Sequence, residues 1–168
     1  MEIKYPDAQQ ENSYEDGMVF QDFVSDVMFV KMGIALSNYS SRRYQLNKGE
    51  NAQRCEIKLD ARCTETGRLS IEVGEKTRND QNRDWVDSGI MRDNMFYVQG
   101  NYKKFYVFAN RHLRSYYKKN DPEVRDKHGT IRTFYIPEQT AEYIAIASFG
   151  EKDLAPFRDI VNLKKGER

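Results

Sequence analysis

Two short stretches carry side chains suited to phosphoryl chemistry: Glu56-Ile57-Lys58-Leu59-Asp60 and Leu69-Ser70-Ile71-Glu72-Val73. Each alternates polar with apolar residues at a period of two, the pattern of a β-strand. The polar segment Thr64-Glu65-Thr66-Gly67 between them reads as a turn, so residues 54–76 are expected to form a β-hairpin. Pairing about residue 66 sets Asp60 opposite Glu72 and Lys58 opposite Gly74. Cys55, Ile57 and Leu59 then share a face with Leu69, Ile71 and Val73, while Glu56, Lys58, Asp60 and Glu72 share the other. Three carboxylates and one ammonium on one patch of sheet suit a divalent cation beside a phosphate. The competing reading is a solvated charged face, which antiparallel sheets commonly have. Asp60 directly opposite Glu72 argues against it, because like charges so placed cost free energy unless a cation lies between them.

The elements that must position these groups can be read along the chain. Residues 1–14 read as a polar arm. Over 15–31, Phe20, Phe23, Val24, Val27, Met28 and Val30 recur at three and four, an amphipathic helix whose stripe faces the core. A short strand is expected at 34–37, a polar loop at 38–43 and the start of another strand at 44–46. Residues 77–87 read as a loop, with the only tryptophan, Trp85, as a packing residue. Residues 95–98 and 104–108 form a second hairpin around Gly100-Asn101. Asn110 is placed to cap a helix running to about residue 119, which Asn120-Asp121-Pro122 breaks. A strand at 130–136, a helix from Pro137-Glu138 to 148 ended by Gly150, and a helix at 153–163 before a basic tail at 164–168 complete the order. The whole is expected to be one α/β domain over 1–168, with a central mixed sheet flanked by helices.

Size and composition narrow the function. The chain has 168 residues, 32% charged and 12% aromatic, with only four prolines, which suits a globular domain rather than a disordered segment. No apolar run approaches the roughly 20 residues of a membrane span, and no signal-peptide pattern opens the sequence, so a cytoplasmic location is expected. Cys55 and Cys63, expected on one extended strand, are too far apart to bridge, and with only His112 and His128 besides, zinc is disfavoured. A metal here would take oxygen ligands, pointing to Mg²⁺, Mn²⁺ or Ca²⁺. The net charge of +1 conceals strong asymmetry: residues 1–26 hold seven acids against Lys4, and residues 101–119 hold six cations and no acid.

The longer string, Glu56-x-Lys58-x-Asp60, Thr66-Gly67, Ile71-Glu72 and then Ser88-Gly89-Ile90 before an aromatic strand, resembles small phage-type and mobile-element proteins of the PD-(D/E)XK nuclease superfamily, over residues 15–115. The resemblance implies a restriction-endonuclease-like fold and Mg²⁺- or Mn²⁺-dependent hydrolysis of DNA, in a host cytoplasm if the chain is phage-encoded. An acid on one strand and an acid-x-lysine on the next would bind the metal and position water. Asp60 matches the first acid and Glu72 the second; Gly74 stands where the lysine belongs. Lys58 would then supply the ammonium from the neighbouring strand, with Lys76 a weaker substitute. A second mapping takes Glu56-Ile57-Lys58 as the acid-x-lysine and Glu50 as the earlier acid, a gap of six residues that is short for a hairpin.

On the first mapping Asp60, Glu72, Glu56 and the Val73 carbonyl are the metal ligands, and Lys58 either acidifies the attacking water or clamps the phosphate. Glu15, Asp22 and Asp26 on the first helix are further acids, set against plain solvation of a helix surface. DNA contacts are assigned to Lys103, Lys104, Arg111, Arg114, Lys118 and Lys119, interleaved with Tyr102, Tyr106, Tyr116 and Tyr117, and to Arg42 and Arg43. The alternative there is that Phe105, Val107, Phe108 and Leu113 are core and the cations solvate a face. Cutting both strands of a duplex would call for a homodimer. Two other readings stand beside the nuclease: an inactive nuclease-fold protein that binds DNA or takes part in assembly, and an inhibitor or host-interaction protein whose acidic N-terminal region mimics DNA.

Overall fold

A computed structural model describes residues 8–39, 45, 49–76 and 82–166. In chain order the elements are α1 (Ala8–Met32), β1 (Cys55–Leu59), α2 (Cys63–Thr66), β2 (Arg68–Lys76), β3 (Trp85–Asp87), a 3₁₀ turn (Gly89–Met91), β4 (Phe96–Gly100), β5 (Phe105–Ala109), α3 (Asn110–Asn120), β6 (Arg125–Lys127), β7 (Ile131–Pro137), α4 (Glu138–Ile144), β8 (Ala147–Phe149) and α5 (Glu151–Gly166). They form an α/β domain with two four-stranded sheets. One is mixed, ordered β1-β4-β5-β8 with β1 parallel to β4; the other is antiparallel, ordered β3-β2-β7-β6.

The mixed sheet is the central layer. Cys55, Ile57, Val98, Phe105 and Val107 on one face pack against Phe20, Phe23, Val24, Val27 and Met28 of α1 and Leu154 of α5. Tyr97, Tyr106 and Phe108 on the other face join Leu69, Ile71, Phe134 and Ile136 of the antiparallel sheet and Leu113 of α3. Each of these large side chains, fully buried, contributes roughly 1.5–3 kcal/mol. The stripe read on α1 is the core face except for Val30, which is 66% exposed. The helix ends in an αL cap: Gly33, at φ 67°, donates its N–H to Phe29 O, and Ile34 donates to Met28 O.

The expected hairpin over 54–76 does not form. β1 pairs with β4, β2 pairs with β7 and β3, and the one-turn helix α2 carries the chain from one sheet to the other. Cys55 and Ile57 therefore lie in one core and Leu69, Ile71 and Val73 in the other. Cys63 is on α2 rather than on a strand, and both cysteines are free and buried. α1 takes in residues 8–14 of the expected arm, and α5 reaches Gly166 within the expected basic tail. Residues 34–37 are irregular, with an isolated bridge between Asn38 and Asn51. Within the expected 77–87 loop, residues 85–87 form β3, while 77–81 lie outside the described residues. The expected strand start at 44–46 lies largely outside them too. The second hairpin, β4–β5, closes in the register Gly100 to Phe105. The helix expected to run to 148 stops at Ile144, where β8 begins three residues on.

Candidate functional site

The polar side chains of β1 converge on β2 across the join between the sheets. Lys58 Nζ lies 2.9 Å from Glu56 Oε1 and 3.3 Å from Glu72 Oε2. Asn94 Nδ2 donates to Glu56 Oε2 at 3.0 Å. Glu50, just before β1, accepts from the Ile57 N–H at 2.6 Å through Oε2. Burial and the Glu56 charge raise the Glu50 carboxyl to a pKa of about 8, opposed by Lys58 and the Ile57 N–H. Burial also works against ionisation of Glu56, but Lys58 and Asn94 outweigh it and hold that carboxyl below its ordinary value. Burial works against the Lys58 charge as well, yet Glu56, Glu72 and Glu50 hold the ammonium well above its ordinary pKa. The side chains of Glu56 and Glu72 are 7% and 12% exposed, and that of Lys58 33%, so the cluster sits in a crevice with one wet side.

Asp60 lies two residues beyond Lys58 and is held differently. Its Oδ2 accepts from the Gln99 amide at 2.8 Å and from the Ser70 N–H at 3.3 Å. Gln99 Nε2 also donates to Ser70 O at 2.8 Å, and Tyr97 OH donates to Gln99 Oε1 at 3.0 Å. Asp60 and Gln99 thus satisfy both main-chain groups of Ser70 on the edge of β2 that faces away from β7. β3 covers that edge only from Gly74 to Lys76.

Gly89 of the Ser88-Gly89-Ile90 turn sets the position of Glu72. Its φ is 54°, and a Cβ there would stand 2.2 Å from Glu72 O and 2.8 Å from Glu72 Cβ. Only glycine lets the turn approach this closely. Arg114 fixes the same turn from α3, donating to Ile90 O at 2.5 Å, to Met91 O at 2.6 Å and to Arg92 O. Asn110 does not cap α3. Its buried amide donates to Ile90 O at 3.0 Å and Arg92 O at 3.3 Å.

The structure therefore brings together Glu56, Lys58 and Glu72, adds Glu50, and sets Asp60 beside them on main-chain duty. Gly74 follows a bulge in β2 and faces Arg132 and Val86, not the cluster. Lys76 lies 5.1 Å from the Trp85 ring, which also carries the Arg132 guanidinium at 4.1 Å. Of the α1 acids, Asp22 is exposed; with Asp16 it adds to the burial that raises the Tyr102 hydroxyl to about 12.

Of the cations assigned to DNA, Lys104 pairs with Glu142 at 2.5 Å and Arg114 is taken by the turn, whereas Lys103, Arg111, Lys118 and Lys119 are exposed. Arg42 and Arg43 lie outside the described residues. Tyr102 packs on Phe20 and Phe23, Tyr106 is buried, Tyr116 stacks on Phe134 and Tyr117 packs against the same ring at a tilt. Asn94, Tyr97 and Gln99 carry no motif and are not legible in the sequence, and the mapping through Glu50 ranks second there because a gap of six residues is short for a hairpin. No hairpin is needed, since Glu50 reaches back to the backbone of β1 itself.

Among the described residues, no group of three or more His, Cys, Asp or Glu is arranged to hold an ion by itself. The chemistry of the donors nevertheless fits a hard divalent cation. Two carboxylates from different sheets already converge on one positive atom, and Mg²⁺ characteristically takes one or two carboxylates and keeps several waters. Ser70 and Thr133, both on the face of the antiparallel sheet that carries Glu72, have buried hydroxyls without a hydrogen-bond partner among the described residues. No known family model matches the chain, and comparison with curated proteins and with solved structures gives no match. No helix among the described residues is long and apolar enough to cross a membrane.

Proposed function

We propose that this protein is a metal-dependent nuclease that hydrolyses phosphodiester bonds in DNA at the Glu56–Lys58–Glu72 crevice. The observation that carries the reading is the meeting of Glu56 and Glu72, from separate sheets, on the single ammonium of Lys58. Glu56 and Glu72 would hold Mg²⁺ or Mn²⁺, with Asp60 beside them. When bound, a divalent cation supplies neutralisation of the phosphoryl oxygens and activation of water. Lys58, kept charged by its carboxylate neighbours, cannot act as a base and serves as a fixed positive charge for the phosphate. Glu50, with a pKa of about 8, is the group able to take up and return a proton near neutrality. Asn94 holds Glu56 in place, and Gln99 holds Asp60.

The test is cleavage of plasmid and branched DNA in Mg²⁺ or Mn²⁺, comparing the wild type with Glu56→Gln, Glu72→Gln and Asp60→Ala. Losses of about a hundredfold or more for the two glutamines are expected. A wild type that cuts under neither metal, or variants that cut as well as it does, removes the enzyme.

Two observations favour a second reading, a nuclease fold that binds DNA without cutting. Gly74 occupies the position where the resemblance expects lysine, and Asp60 Oδ2 is spent on Gln99 and Ser70. Calorimetric Mn²⁺ uptake that Glu72→Gln abolishes decides against that reading.

A further inference from the structure

Helices α3 and α4 enclose a groove of about 520 Å³ that the candidate site does not use. His112, Ser115, Tyr116 and Lys119 line it from α3, and Thr140 and Tyr143 from α4. Tyr143 is 91% exposed, the most exposed large hydrophobic side chain among the described residues. It is not part of the tyrosine series read in the 101–119 stretch. Two independent features indicate what the groove takes.

The first is charge. α3 carries no acid, and Arg111 and Lys118 lie by helical spacing on the stripe next to Ser115, flanking the groove. Arg111, Lys118 and Lys119 are exposed and form no ion pair among the described residues. Both acids of α4 are engaged away from the groove: Glu138 accepts from Tyr106 OH at 3.2 Å, and Glu142 pairs with Lys104 and accepts from Ser148 Oγ at 2.8 Å. The lining therefore holds no acid, and Lys119 within it and Arg111 and Lys118 beside it are cations, which suits a polyanion.

The second is the ring of Tyr143. A large aromatic side chain left almost wholly in water beside a cationic track is the combination by which proteins hold unpaired bases, the ring stacking on a base while the cations follow the phosphates. Tyr116, fixed against Phe134 with ring centroids 6.3 Å apart, gives the groove a rigid aromatic wall.

We propose that the α3–α4 groove binds single-stranded nucleic acid, with Tyr143 stacking on a base and Arg111, Lys118 and Lys119 contacting successive phosphates. This deepens the nuclease reading by giving the substrate an unpaired strand, and it rests on that reading only for the choice of a nucleic-acid partner.

The test is fluorescence anisotropy of a labelled single strand of roughly 15 nucleotides, within the usual span of such sites, against the same sequence as duplex. Chelator is present so that no cleavage intervenes. The full chain is expected to prefer the single strand, and Tyr143→Ala to weaken that binding roughly five- to hundredfold while Tyr143→Phe retains it. Lys118→Ala with Lys119→Ala should flatten the dependence of binding on salt. Equal affinity for duplex, or a Tyr143→Ala protein that binds unchanged, overturns the proposal. So does binding to vesicles rich in phosphatidylserine with none to the single strand. Failure of the Glu56 and Glu72 variants to alter cleavage would leave these binding results untouched, so the two readings fail separately.

Discussion

Lys58 balances the charge of the crevice and also helps hold its two walls together. Removing it by Lys58→Met leaves Glu56 and Glu72 facing each other with little water, and breaking such a pair costs a few kcal/mol. Because a third of the Lys58 side chain is exposed, the loss should be about 2–3 kcal/mol in urea unfolding, at the lower end for buried pairs. The triple variant Glu56→Gln, Lys58→Met, Glu72→Gln should recover most of that loss yet remain inactive, which separates stability from chemistry. A Lys58→Met protein as stable as the wild type would show that the ion pair joins nothing. Glu50 gives the pH dependence. Its carboxyl rises from an ordinary 4.5 to about 8 on folding, so the folded state binds its proton more tightly than the unfolded chain. Its contribution to stability is therefore complete below 4.5, declines as pH rises towards 8 and is gone above that. Unfolding measured at about pH 5 and about pH 9 should show a decline in the wild type that Glu50→Gln largely removes. An identical decline in the variant would assign it to other groups.

At the scale of elements, what could be read was what is local. The 3.6-residue stripe of α1 and the Gly100-Asn101 turn joining β4 to β5 depend on near neighbours, and both appear where the sequence places them. The 54–76 hairpin fails because its strands find distant partners. β1 pairs with residues 96–100 and β2 with residues 131–137, and α2 closes on Gly67 in a left-handed cap instead of a two-strand turn. β8 escaped notice because three residues at a sheet edge carry no periodicity. The 3₁₀ turn is the element on which the site most depends. Gly89→Ala combines a left-handed backbone with a Cβ 2.2 Å from Glu72 O, so it should cost about 2–4 kcal/mol and abolish cleavage by displacing Glu72. Gly67→Ala, at φ 66° with open space around it, supplies the control and should cost only about 1 kcal/mol with cleavage retained. Equal losses of stability and activity in the two variants would mean that the turn does not position Glu72. Arg114→Ala should likewise lose about 1.5–3 kcal/mol in urea unfolding, since three carbonyls lose a charged donor. Arg114→Lys should rescue it poorly, because a single ammonium lacks the planar fork. An unaltered midpoint in Arg114→Ala would release the turn from this anchor.

The molecule as a whole is two sheets that meet without a shared ladder near the site. The acid and lysine cluster is therefore legible in the sequence but what assembles it is not: Lys58 and Glu72 meet across a join between layers, not across a hairpin. A join of this kind depends on side chains bonded to backbone, and Gln99 is its centre. It is 2% exposed, donates to both Asp60 Oδ2 and Ser70 O at 2.8 Å, and accepts from Tyr97 OH. Replacing it by leucine, close in volume, fills the same space but leaves Asp60 Oδ2 with the Ser70 N–H alone and takes the Gln99 partner from the Ser70 carbonyl and the Tyr97 hydroxyl. Each such buried group costs about 1–3 kcal/mol, and linked groups lose together. Gln99→Leu should therefore lower stability by about 3–4 kcal/mol, more than Arg114→Ala although it removes no charge. The effect should also be localised. Because Gln99 and Asp60 hold the β2 edge, amide exchange should quicken at Ser70, whose N–H is bound to Asp60, before it quickens at Val98 or Val107 in the central sheet. Cleavage should fall as well, since Asp60 loses its orientation. A Gln99→Leu protein with native stability and unchanged exchange at Ser70 would mean that the two layers are held by their apolar faces alone, and that Asp60 needs no help to stand beside Lys58.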